Sequence, residues 1–296
     1  RYPQPGGSPD RARRTRPSIA AVVDYLQACF LGVLQGLTEF LPISSSAHLR
    51  IFPELFGWGD PGAPFTAVIQ IGTELAVLIY FRHDIWRIAS AWLRSLVRPE
   101  YRGTLDARMG WFIIVGSLPI VVLGVLFKDV IENDFRNLWV IGTTLIVLGV
   151  ILGIADRVGR NEKAVKQMTL RDAVLMGGAQ AMALVPGVSR SGATISMGRF
   201  LGYEREAATR FAFLLAIPAV VGAGLFELPE IAHVGEDGYG WGPTVLATVV
   251  SFVVGYAAIA WLLRYVSTHS YTPFVIYRVL LGGAVLVLLG TGVLTA

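Results

Sequence analysis

The strongest constraint on this chain is a set of apolar runs of about 20 residues each, the length at which a helix crosses a bilayer. They extend from Phe65 to Phe81, from about Trp111 to Phe127, from about Leu138 to Ala155, and from Ala207 to Phe226. Two more run from Thr244 to Leu263 and from Pro273 to Leu294. None shows the two-residue alternation of a barrel strand. Hydrophobic residues make up 54% of the chain and charged ones 16%, too few charges to coat a soluble domain of this length. The expected fold class is therefore all-α: a polytopic membrane helical bundle.

Two further segments are interrupted by proline and by polar side chains. The first reads QGLTEFLPISSSAH, from Gln35 to His48, and the second QAMALVPGVSRSGAT, from Gln180 to Thr194. Broken backbone and unpaired polar groups in hydrocarbon cost several kcal/mol each, as a rough figure, so they persist only where they line a protein-walled cavity. Two such breaks predict re-entrant helix pairs with a site built between them.

Loop charge gives an orientation. The basic loops Arg82–Arg108 and Arg157–Arg171 belong in the cytoplasm by the positive-inside rule, and the acidic loop with Glu227, Glu230, Glu236 and Asp237 belongs outside. These assignments agree when the second interrupted segment enters and leaves from one side. Extending the same logic to the first gives two halves, each a re-entrant pair followed by three spans. The expected architecture is six full spans, two re-entrant pairs and inverted-topology repeats over about 19–155 and 172–294. A shared Pro-x-x-Ser element, at Pro42–Ser45 and Pro186–Ser189, accords with a repeat. Alternatively the first segment crosses fully, which would keep the arginines of the N-terminal tail inside. Residues 1–18 read as a disordered basic tail, and residues 19–296 as one integral membrane domain. The chain starts at Arg1, which suggests a trimmed terminus, and Asp24, Gln27, Gln35 and Glu39 argue against a signal peptide after the tail. A single cysteine, Cys29, excludes an intramolecular disulfide and a cysteine metal cage.

The polar residues form a chemical set. Gln35 and Glu39 share one helical face, and beyond the break Ser45 and His48 share another. Ser44, Ser45 and Ser46 would start a helix whose free N–H groups form an anion site. Arg190 offers a fork suited to phosphate, with Ser189, Ser191 and Thr194 as further donors. A serine hydroxyl needs a base to become a nucleophile, and His48 lies three residues beyond Ser45. Ser45 as nucleophile with His48 as general base is one reading; His48 attacking directly, with Ser45 as a phosphate ligand, is the other.

With those motifs in view, QGLTEFLPISSSAH and PGVSRSGAT resemble the two signatures of the undecaprenyl-diphosphate phosphatase family, the bacitracin-resistance membrane proteins. RFAFLLAIPAVVGA and TPFVIYR extend the similarity over nearly the whole chain after the tail. The resemblance implies removal of the terminal phosphate of a C55 isoprenyl diphosphate in the bacterial plasma membrane, recycling the lipid carrier for cell-wall synthesis. It assigns catalytic roles to Glu39, Ser45, His48 and Arg190, and supporting ones to Gln35, Ser44, Ser189, Ser191 and Thr194; Ser46 joins the substrate-binding set. It also implies a divalent cation, Mg²⁺ or Ca²⁺, with Glu39 as its ligand and diphosphate oxygens completing the shell. Gln35 stands where many members have Glu. The expected partners are the polyprenyl diphosphate, the bilayer and a second copy of the chain in a homodimer, with no nucleic acid. A transporter or flippase of a polyprenyl phosphate is the alternative function for such a cavity.

Overall fold

A computed structural model describes residues 19–127, 137–226, 229, 234 and 239–295. The expected tail (residues 1–18) and the acidic residues Glu227, Glu230, Glu236 and Asp237 lie outside these. Among the described residues there are eleven α-helices and no strand, only one isolated bridge between Lys163 and Tyr203. The first half contains α1 (Ile19–Phe40), α2 (Ser45–Leu55), α3 (Ala63–Tyr80), α4 (Arg82–Val97), α5 (Leu105–Leu126) and α6 (Leu138–Val158). The second contains α7 (Leu170–Ala181), α8 (Arg190–Phe200), α9 (Arg205–Phe226), α10 (Trp241–Val266) and α11 (Thr272–Gly290).

Five helices, α5, α6, α9, α10 and α11, are long and apolar enough to cross a membrane. A sixth candidate is the pair α3 and α4, bent by 70°. Large apolar side chains such as Val125, Leu280 and Val287 stand exposed, as a lipid-facing surface requires. α1, which carries Asp24, Gln27, Gln35, Thr38 and Glu39, is not among the candidates found in the described residues.

The stretch read as the basic loop Arg82–Arg108 is corrected in its first part. Residues Arg82–Val97 form a helix, with Ile88 and Ser95 buried on one face and arginines on the other. Arg87 pairs with Asp84 at 3.0 Å and with Asp106 at 3.1 Å, while Arg210 of α9 reaches Asp84 at 2.5 Å. The apolar positions Ile85, Ile88 and Trp92 recur at helical spacing. The density of arginines conceals that period.

Both interrupted segments are helix pairs. α2 and α8 are each 11 residues long, and each follows a serine in the left-handed region. Ser44 has φ 75° and ψ 101°, and Ser189 has φ 71° and ψ 114°. These two residues, not the prolines, set the equivalence of the halves. The Pro-x-x-Ser match is thus out of register by one: Ser189 corresponds to Ser44, and Arg190 to Ser45. The helix packing obeys the same exchange. α1 and α3 pack on α10, α7 and α9 pack on α5, and α6 packs on α11.

Side chains from elsewhere satisfy the broken backbone. Thr144 of α6 donates to the Pro186 carbonyl at 2.8 Å, and Ser191 donates to the Leu41 carbonyl at 3.2 Å. Gly187, at φ 88°, lies so close to α6 that a Cβ there would sit 2.1 Å from the Thr144 hydroxyl and 2.8 Å from the Ile141 carbonyl oxygen. Gly187→Ala should therefore cost on the order of 1–3 kcal/mol, read as a lower melting temperature in detergent. Gly57→Ala also replaces a left-handed glycine, but in open space, and should lower the melting temperature less than half as much.

Candidate active site

The last turn of α1 carries Glu39, and the first turn of α2 carries Ser45. The Ser45 hydroxyl donates to Glu39 Oε2 at 2.6 Å, and the Gln35 amide donates to the same oxygen at 3.2 Å. Gln35 also donates to the Thr73 hydroxyl of α3 at 3.3 Å, which fixes α1 against that span. The other carboxylate oxygen, Oε1, forms an ion pair with the Arg190 guanidinium at the start of α8. Glu39 and Arg190 are 151 residues apart in the chain and belong to opposite halves. Their side chains are only 9% and 21% exposed, so each charge depends on the other for its solvation.

The serines surround this pair with the same geometry in both halves. Ser44 and Ser46 hydroxyls lie 3.2 Å apart, as do those of Ser189 and Ser191. Ser189 caps α8 by accepting from the Gly192 amide at 3.2 Å, whereas Ser44 makes no side-chain cap on α2. The first-turn amides of α2 are therefore left to meet an anion. Glu39, Ser44, Ser45, Ser46, Ser189 and Arg190, with Gln70 of α3, line a polar cavity of about 570 Å³. Glu39 and Arg190 also border a second cavity of about 380 Å³, whose walls include Phe40, Val77, Phe213, Ala216 and Val220. A polar chamber and a more apolar one, which Thr73, Glu74 and Ser191 also border, thus meet at a part-buried ion pair.

Two residues expected in the site lie elsewhere. His48 is 1% exposed and stacks between Phe52 and Tyr277, with centroids 5.8 and 5.5 Å away. Its Nδ1 is 2.6 Å from the Ser44 carbonyl oxygen, and its Nε2 is 2.6 Å from the Tyr277 hydroxyl. The carbonyl can only accept, so Nδ1 donates and Nε2 accepts from Tyr277. Both nitrogens are engaged, and Ser45 turns to Glu39 instead. Thr194 is fully buried and donates to the Arg190 carbonyl at 2.8 Å, so its hydroxyl steadies α8.

Arg278 of α11 is the residue that the site motifs leave out. It is fully buried, and its guanidinium donates to Pro42 of the first break at 3.1 Å. It also donates to Gly187 and Val188 of the second at 2.8 and 3.1 Å, and its Nε donates to the Leu145 carbonyl at 3.2 Å. The signal in the sequence is an arginine six residues into an otherwise apolar span, which membranes tolerate only with partners.

Among the described residues no group of three or more His, Cys, Asp or Glu side chains converges. A divalent cation here would take one or two protein carboxylates and complete its shell with water or ligand oxygens, a coordination that Mg²⁺ accepts.

The fold and the site together define a polytopic helical membrane protein in which a carboxylate of one half and a guanidinium of the other meet beside a cluster of serines. The chain belongs to the family described as bacitracin resistance protein BacA, whose profile it matches over residues 28–284. It is 75% identical to the undecaprenyl-diphosphatase of Nocardioides sp. (strain ATCC BAA-499 / JS614) over 275 residues, 93% of this chain and 100% of the relative. It is 58% identical to undecaprenyl-diphosphatase 2 of Agrobacterium fabrum, over 92% of this chain and 98% of that protein. The undecaprenyl-diphosphatase of Micrococcus luteus is 57% identical, over 92% and 99%.

Arg278→Lys keeps the charge but loses the fork that spans both breaks. It should lower the melting temperature in detergent by an amount equivalent to several kcal/mol, because charge-assisted bonds of about 1.5–3 kcal/mol each are lost. An unchanged melting temperature would show that Arg278 does not hold the breaks.

Proposed function

We propose that the protein hydrolyses undecaprenyl diphosphate to undecaprenyl phosphate and orthophosphate, returning the lipid carrier to cell-wall synthesis and conferring bacitracin resistance. The observation that carries this reading is the buried Glu39–Arg190 pair, with Ser45 bonded to it, between a hydroxyl-lined and an apolar cavity. A lipid diphosphate has both chemistries in one molecule. The names of the relatives favour hydrolysis over transport.

Phosphoryl transfer needs an aligned nucleophile and charge stabilisation on the non-bridging oxygens. Arg190, the uncapped first-turn amides of α2 and the serine hydroxyls supply the stabilisation. Ser45 Oγ forms a bond to the terminal phosphorus while the bond to the bridging oxygen breaks and undecaprenyl phosphate departs. The Ser45 proton passes to Glu39, the carboxylate 2.6 Å away. Water then attacks the phosphoserine phosphorus, the bond to Ser45 Oγ breaks, and Glu39 returns its proton to that oxygen as orthophosphate, carrying the water's oxygen and protons, is released. His48 is a positioning residue in this scheme: it holds the Ser44 carbonyl and so aims the start of α2. A divalent cation, Mg²⁺ or Ca²⁺, would be held by Glu39 together with diphosphate oxygens and would neutralise part of the substrate's charge.

Phosphate release by purified protein in detergent tests the reading. Ser45→Ala and Glu39→Gln should each lower the rate by about 10²-fold or more, the range for loss of a nucleophile or its base. Parallel acid and alkaline quenches during turnover should trap an acid-stable, alkali-labile phosphoserine in wild-type protein and no label in Ser45→Ala under either quench. Label in Ser45→Ala, acid-labile and alkali-stable, would move the attack to His48.

His48→Asn offers a separate measurement. A positioning role predicts a lower rate with the pH–rate profile unchanged in shape between pH 5 and 8. Loss of an ionisation near the ordinary histidine range, about 6.5, would make His48 the base.

A further inference from the structure

Ser46 lines two cavities. One is the polar site chamber; the other, of about 470 Å³, is bordered by Ser46, Leu49, Arg50, Asp60, Thr66 and Pro186. The Ser46 hydroxyl lies 3.2 Å from that of Ser44 and accepts from the Gly187 amide at 3.5 Å, so it stands between the chambers. Arg50 lies one helical turn after Ser46 and borders the same outer cavity.

We infer that this outer cavity is the departure route and a weak binding site for orthophosphate, with Arg50 as its cation. The inference rests on the hydrolysis proposed above. Its two products differ in chemistry: one is anchored by a long apolar tail, and the other is a small, strongly hydrated dianion. The cavity bordered by Phe40, Val77, Phe213, Ala216 and Val220 suits the tail; the Arg190 on its wall is already paired with Glu39, and the Glu74 carboxylate beside it opposes a second anion. The chamber beyond Ser46 offers a second guanidinium, that of Arg50. Arg50 is paired with Glu54 at 3.2 Å, with side chains 26% and 28% exposed. A half-buried i,i+4 pair of this kind still contributes only on the order of 1 kcal/mol, so a phosphate dianion can compete with Glu54 for Arg50. Glu54 and the carboxylate of Asp60, which also borders the cavity, keep the site weak. A route must admit an ion and then let it go.

The test is inhibition of lipid diphosphate hydrolysis by added inorganic phosphate, in detergent, for three proteins. Arg50→Gln should raise the inhibition constant at least fivefold over wild type. Glu54→Gln, which removes Arg50's competing carboxylate, should lower it. An unchanged constant in Arg50→Gln, or shifts in the same direction in both variants, would overturn the proposal, because a purely structural pair responds alike to loss of either partner. The ³¹P line width of inorganic phosphate, titrated onto protein without lipid, tests the site apart from the reaction. Broadening by wild type that is lost in Arg50→Gln supports the site even if no hydrolysis is found; equal broadening by both proteins overturns it.

Discussion

The structure depends on one guanidinium placed between two broken helices. A helix that stops inside a membrane leaves carbonyls with neither an intrahelical donor nor water. Arg278 answers this for both breaks at once, donating to Pro42 on one side and to Gly187 and Val188 on the other. The planar fork suits the task, since its N–H groups point in fixed directions that several carbonyls can share. Thr144 and Ser191 complete the set at Pro186 and Leu41. Holding both breaks to one point is what brings the start of α2 and the start of α8 together. The site is a consequence of how the backbone is satisfied.

The two halves match in helix order and packing, but their polar residues differ. Counting from the left-handed serines, Glu39 corresponds to Leu184, Ser45 to Arg190 and Gln35 to Gln180. In the proposed mechanism the carboxylate and the nucleophile thus come from the first half and the phosphate-binding cation from the second. The ion pair forms once, across the repeat, and no mirror copy competes for substrate. Gln180 preserves the trace of the duplication. It is fully buried like Gln35, but its amide has no hydrogen-bond partner, whereas Gln35 bonds to Glu39 and Thr73.

Much of this was legible in the residues. Apolar run length located the spans, and prolines inside polar clusters located both breaks. Gln35, Glu39, Ser44, Ser45, Ser46, Ser189, Arg190 and Ser191 do meet around one cavity or its walls. The orientation of His48 was not legible. Residues three apart share a face, but the ring is held by Ser44's carbonyl and by Tyr277, a residue 229 positions away. Arg278 was visible only as one charge in an apolar run, because its partners are carbonyls, which every residue has. The register of the repeat was hidden for a similar reason: it is set by backbone dihedrals at Ser44 and Ser189, and proline is the more conspicuous residue.

The central claim is that two segments from opposite halves form one site through the Glu39–Arg190 pair, and a double-mutant cycle on melting temperature tests it most directly. Glu39→Gln and Arg190→Gln each leave a part-buried charge without its partner, at a cost on the order of 1–3 kcal/mol, whereas the double variant leaves none. The account predicts that the double variant melts above at least one of the single variants, with a large coupling between the two changes. Strictly additive losses would place the two side chains in separate environments and contradict it.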